Sequence, residues 1–98
     1  MATLVVLYPH ADDATFDHDY YIAKHIPLAH GAWCDFGLET IEVLPPAAGP
    51  QPFMAVTIIR FMDQGWLNAA LSSPDTAKVI GDVANFTNVS PTMYRADD

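Results

Sequence analysis

Apolar residues along the chain fall into short β-branched runs, separated by stretches in which large side chains recur three or four positions apart. Thr3-Leu4-Val5-Val6-Leu7-Tyr8, closed by Pro9, has the length and composition of a strand. The loop from Pro9 to Thr15 opens into a predicted helix, with Thr15 as its N-cap and Asp17 and Asp19 favourably placed in the first turn. Pro27 deletes the hydrogen bond to the Ala23 carbonyl, so this helix is predicted to kink or end there. Leu38 to Leu44 and Phe53 to Phe61 read as the second and third strands, joined by the exposed loop Pro45-Pro46-Ala47-Ala48-Gly49-Pro50. A second helix starts near Asp63 and carries Trp66, Leu67, Ala70 and Leu71 at helical spacing until Ser72-Ser73-Pro74 breaks it. Asp75 to Val83 reads as a further short helix, and Asn85 to Tyr94 as the fourth strand.

Strand, helix, strand, strand, helix, strand is the order of a ferredoxin-like α+β fold, a four-stranded antiparallel sheet with helices on one face. Ninety-eight residues make one domain, 1–98, with no room for a second core. The strands of such a sheet should alternate apolar and polar positions, with the bare face wet. The first and third strands do not; they are apolar nearly throughout, and the helices suffice for one face only. Four strands of about five residues present roughly 320 Å² of flat face. At about 25 cal/mol per Å², leaving that area in water forgoes roughly 8 kcal/mol, against a whole-domain stability of about 5–15 kcal/mol. A second copy, laid sheet against sheet across a two-fold axis, is the expected cover, so an obligate homodimer is predicted.

Composition narrows the partners. Hydrophobic residues are 51% of the chain and charged ones 16%, which excludes disorder. Four Lys and Arg against twelve Asp and Glu give a net charge of −8, which argues against nucleic acid and anionic membrane as partners. A single cysteine, Cys34, allows no intramolecular disulfide, and no basic segment leads into a long apolar run at the N-terminus. Both point to a reduced cytoplasm, with Cys34 expected as a buried small residue.

Leu7-Tyr8-Pro9, then Phe16-Asp17, Tyr20-Tyr21, His25 and Pro27-Leu28, resemble the opening of the EthD-like family of the dimeric α+β barrel superfamily. The likeness continues through Arg60-Phe61, Ser73-Pro74 and the segment from Gly81 to Asn88. The resemblance implies a ferredoxin-like subunit paired into a barrel, with a cavity between sheet and helices. Relatives on this fold include cofactorless monooxygenases, polyketide cyclases, lactone isomerases and, more distantly, haem enzymes, so the fold by itself selects no reaction.

Candidate chemistry sits on the first helix and the last segment. At about 100° per residue, Tyr21, His25 and Leu28 share one stripe of the helix, and Phe16, Tyr20, Ala23 and Pro27 another. An imidazole near pKa of about 6.5 exchanges protons at neutral pH, which makes His25 the first candidate acid or base. Its plainer role is to satisfy carbonyls where Pro27 interrupts the helix. Tyr21, one turn earlier, is placed to orient the ring or to donate to a ligand oxygen. Asp82 is expected to orient His25 or to act as base, or else to cap the junction before the fourth strand. Strand alternation puts Asn85 and Thr87 on one face and Phe86 and Asn88 on the other. Either pair would line a pocket, with Asn85 or Thr87 holding a substrate oxygen, and cross-strand hydrogen bonding is the plainer role. Tyr20, Leu28, Phe86 and Trp66 complete the expected substrate contacts, although Tyr8, Phe16, Tyr20, Phe61, Trp66 and Phe86 read first as core.

His10, His18 and His30 lack the spacing of a metal site, and no phosphate loop, nucleophile elbow or dinucleotide fingerprint occurs. The expected protein is a cofactor-independent oxidoreductase or acid–base enzyme acting on a small apolar, aromatic or polyketide-like molecule by oxidation, isomerisation, cyclisation or decarboxylation. A non-enzymatic binder or accessory partner of a catabolic or biosynthetic operon is the alternative function. Haem is the alternative cofactor, which the distant relatives imply.

Overall fold

The computed structural model describes residues 1–97. Four strands, β1 (Ala2–Pro9), β2 (Leu38–Leu44), β3 (Phe53–Phe61) and β4 (Thr92–Asp97), form one antiparallel sheet in the order β2-β3-β1-β4. The two most apolar runs, β1 and β3, take the centre, and the topology is ferredoxin-like. Their register pairs Leu4 with Ile59, Val6 with Thr57 and Tyr8 with Ala55. These side chains point toward the helices and are all buried. The alternate set, Val5, Leu7, Val56 and Ile58, faces the other way and stays half-buried. Leu44 and Tyr94, paired with Val56 and Val5, extend that open face toward the two edges.

The first helical segment runs without interruption through α1 (His18–Tyr20), a π-helical turn at Tyr21–His25, and α2 (Ile26–Trp33). Its cap is Asp17 rather than Thr15: the Asp17 carboxylate accepts the Tyr20 N–H at 3.0 Å. The Thr15 N–H is committed instead to Oδ1 of Asn88, at 2.9 Å. Nor does Pro27 end the helix. The preceding turn is widened, with the Ile26 N–H bonded to the Tyr21 carbonyl five residues back, so the proline enters where the usual bonding has already shifted.

Asp63 caps α3 (Gln64–Ser72) by accepting the Trp66 N–H, and α4 (Thr76–Asp82) leads into a 3-10 turn at Val83–Asn85. Residues 85–91 are therefore not part of the fourth strand, which starts at Thr92. The segment is claimed by the loop before α1. The Asp17 N–H donates to the Phe86 carbonyl at 2.7 Å, the Thr87 hydroxyl to the Thr15 carbonyl at 2.6 Å, and the Asn88 amide to the Asp13 carbonyl at 2.8 Å. Only a single bridge, Phe16 to Thr87, has strand-like pairing.

Between sheet and helices lies the core, in which Trp33 meets Phe61 edge-on and donates its indole N–H to the Thr76 hydroxyl at 2.8 Å. Cys34, expected inside, is exposed at the end of α2, because the core-facing positions of that turn are taken by Ala32 and Trp33. Among the described residues no helix is long and apolar enough to cross a membrane.

Candidate active site

The π-helical turn and the end of α4 converge on one contact. Nδ1 of His25 lies 2.9 Å from Oδ2 of Asp82, with His25 only 5% exposed. The other Asp82 oxygen accepts the Tyr20 hydroxyl at 2.7 Å and the Asn85 amide at 2.8 Å. Burial works against the Asp82 charge, but the bonds from Asn85, Tyr20 and His25 outweigh it and hold the carboxyl below its ordinary range. Burial likewise lowers the His25 pKa, and the neighbouring carboxylate offsets this only in part. At neutral pH the pair is thus a carboxylate beside a neutral imidazole. An ionised Asp82 can only accept, so Nδ1 carries the proton and Nε2 keeps a lone pair.

The His25 side chain belongs to the wall of a cavity of about 580 Å³ between the sheet and the helices. Leu4, Val6, Ile41 and Ile59 line it from the sheet, and Leu71 and Val79 from the helices. Ile80 and Met93, both exposed, stand at its rim. Tyr21, His25, Ala29 and Trp33, four residues apart, together with Ile26, form the first helix's contribution. The His25 ring stacks on Tyr21 with centroids 5.3 Å apart and an 18° tilt, and Phe86 packs against it at 4.5 Å. Beside them the Tyr21 hydroxyl is bonded to the Thr57 hydroxyl and adjoins that of Tyr8. Burial raises the pKa of both Tyr8 and Tyr21, so these phenols remain protonated donors at neutral pH.

Of the residues singled out from the sequence, Tyr21, His25 and Thr87 line the cavity. Asp82, Tyr20 and Asn85 meet behind the imidazole, so Tyr20 and Asn85 contact the carboxylate instead of the cavity. Asn85 and Thr87 share no strand face, since Asn85 ends the 3-10 turn, and the Thr87 hydroxyl is spent on Thr15. Phe86 is 3% exposed in an aromatic cluster with Tyr8, Phe16 and Tyr21, beneath the site rather than in its wall. Leu28 is turned outward, because the π-helical turn carries the His25 face on to Ala29. Trp66 lies against Gly37 on the outer side of α3, away from the cavity.

Sequence reasoning passed over Thr57. It is the one hydroxyl among Ala55, Thr57, Ile59 and Phe61, the helix-facing positions of β3, and that lone polar residue was a readable signal. Tyr8, read as core, is both core and cavity wall.

No family model matches the chain, and no curated protein does. Solved structures do. An EthD-like protein from Ralstonia eutropha JMP134 superposes with a TM-score of 0.85 at 24% identity, over 98% of this chain and 89% of its own. An ethyl tert-butyl ether D (EthD) family protein from Bacillus halodurans C-125 gives 0.77 at 19% identity, over 100% of this chain and 98% of its own. A dimeric ferredoxin-like protein of unknown function from Jannaschia sp. CCS1 gives 0.68 at 18%, over 99% and 97%. At these identities the likeness establishes the fold, that of EthD-like, ferredoxin-like proteins.

Proposed function

We propose that this protein is a cofactor-independent acid–base enzyme acting on a small apolar or aromatic molecule, with His25 as general base. One observation carries the reading: an Asp82-anchored imidazole, its Nε2 unprotonated, in the wall of a largely apolar cavity. A cavity of about 580 Å³ lies within the range of about 300–1,000 Å³ that encloses drug-sized ligands. Asp82 is a positioning residue that fixes the tautomer, in the manner of the carboxylate in a catalytic triad. Tyr21, with Thr57 and Tyr8 behind it, supplies a neutral donor for a substrate oxygen as negative charge develops there. The reading needs no prosthetic group, since acceptor and donors are the chain's own. A Soret band in protein expressed with a haem precursor would overturn that part.

The test is turnover of uncharged phenolic and enolisable compounds in air, followed by product mass and oxygen uptake. His25→Ala is expected to lower kcat by about 100-fold or more with little change in KM. Turnover that falls by less than about tenfold would remove His25 from the mechanism, since a positioned base contributes at least about 10². The same assembly is proposed to be a homodimer closed over Val5, Leu7, Val56 and Ile58, a reading supported by their half-exposed apolar surface and by the dimeric Jannaschia protein.

A further inference from the structure

We propose that the cavity takes an uncharged, largely apolar carbonyl compound and moves a proton from the carbon beside the carbonyl, an enolisation that rests on the acid–base reading above. Among the described residues no Lys, Arg, Asp or Glu lines the cavity. Arg60 is on the open sheet face, 3.8 Å from Glu42, and Lys78 lies 3.5 Å from Asp75. Arg95 is held by Gln64 and Asn68 at 2.8 and 2.7 Å, and Lys24 is exposed. A carboxylate or phosphate entering the cavity would be stripped of water with no cation to meet it, inside a chain of net charge −8.

Donor counting supplies the carbonyl. Tyr21 and Thr57 share one hydrogen bond, and the Tyr8 hydroxyl adjoins that of Tyr21. Each of the three carries one proton and at most two can be used among them, so at least one O–H has no acceptor there. Buried donors left without partners are costly, so a ligand oxygen at this wall is favoured. The His25 ring stacks on that of Tyr21 with centroids 5.3 Å apart, and both residues line the cavity, so base and donor share one stretch of its wall. In the step itself a C–H bond breaks and its proton goes to Nε2. The electron pair passes to the carbonyl oxygen, which accepts the spare hydroxyl, and the imidazolium then returns the proton to carbon or oxygen. Nothing is oxidised or reduced.

The intact protein is tested with 2-tetralone, an uncharged enolisable ketone, in deuterated buffer, with NMR following loss of the α-proton signals. Exchange is expected well above the buffer rate, reduced about 100-fold or more in His25→Gln. Tyr21→Phe and the near-isosteric Thr57→Val should each reduce it at least about tenfold, less than removal of a lone oxyanion donor because neighbouring hydroxyls remain. These two carry the test if His25→Gln does not fold. 2-Naphthoate, similar in size but anionic, should compete at least about tenfold more weakly than an uncharged ligand. Saturable ketone binding without exchange, exchange unchanged in the variants, or naphthoate competing equally would each overturn the proposal. His25-dependent turnover of a phenol without ketone exchange would overturn it while leaving the acid–base reading intact. Failure of both probes to bind would remove the cavity reading as well.

Discussion

Asp82 reaches His25 across 57 residues of chain, and its Oδ2 sits 2.9 Å from Nδ1 rather than from Nε2. That choice of nitrogen decides the chemistry. With a carboxylate on Nδ1 the lone pair is on Nε2; with a donor on Nδ1 the tautomer would invert.

Asp82→Asn tests this directly. An asparagine there can satisfy Tyr20 and Asn85 with its carbonyl while turning its NH2 toward His25. The imidazole would then carry its proton on Nε2 and lose its function as a base. We expect proton-transfer rates to fall about 10²-fold or more, with ligand affinity changed little. Nitrogen-15 NMR of the ring should report the switch; an unchanged Nδ1–H tautomer would refute the positioning role.

The same pair makes stability depend on pH. Burial holds the folded His25 pKa below the ordinary imidazole value of about 6.5, so the unfolded chain binds the proton first as pH falls. Stability should therefore decline from about pH 6.5 down to the depressed folded pKa and then level off. Asp82, also depressed, stabilises the fold above the ordinary carboxylate value of about 3.9 and loses that contribution as pH falls through its folded pKa. Thermal melts should show two separate losses, the upper one absent in His25→Gln. Activity should rise with pH through a midpoint below about 6.5, since the base must be neutral.

The central sheet was legible in the sequence because its signal is local: β1 and β3 are long β-branched runs, and their missing alternation revealed an uncovered face. The first helix was legible in place but not in phase. Nothing in Tyr21 to Pro27 announces a widened turn, so Leu28 was assigned to a face that Ala29 occupies. The fourth strand was misplaced for a tertiary reason. Thr92 to Asp97 is polar and gains its conformation from pairing with β1, whereas Asn85 to Val89 is strand-like in composition but bound to the loop before α1. The His25–Asp82 pairing itself depends on where α4 ends relative to the first helix. Spacing could nominate both residues but not the nitrogen that joins them.

Gly37 offers a test of packing away from the site. Its φ is +71°, and a Cβ built there would come within 2.5 Å of the Trp66 ring, in its Cβ–Cγ region. Alanine at this position meets two penalties, backbone strain and collision with an indole. Gly37→Ala is expected to destabilise by about 2–3 kcal/mol in chemical denaturation. In a Trp66→Ala background the ring contacts disappear and only the Cβ contact at 2.9 Å is left, so the loss should shrink toward the backbone cost of about 1–2 kcal/mol. Equal losses in both backgrounds would show that the indole does not constrain the turn.

The open face of the sheet yields the last prediction. Val5, Leu7, Val56 and Ile58 form a contiguous apolar centre, with the Arg60–Glu42 pair, separated by 3.8 Å, toward β2. None of these residues lines the cavity, so a charge placed here acts on assembly before it acts on chemistry. In a lone subunit an aspartate at position 58 would still find water, because Ile58 is only half-buried there. In a sheet-to-sheet dimer it would be trapped without a counter-charge, at a cost larger than the interface can absorb. Light scattering at micromolar concentration should therefore give a dimer for the native chain and a folded monomer for Ile58→Asp. A monomeric native chain, or a variant that still dimerises, would show that something other than a second copy covers this face.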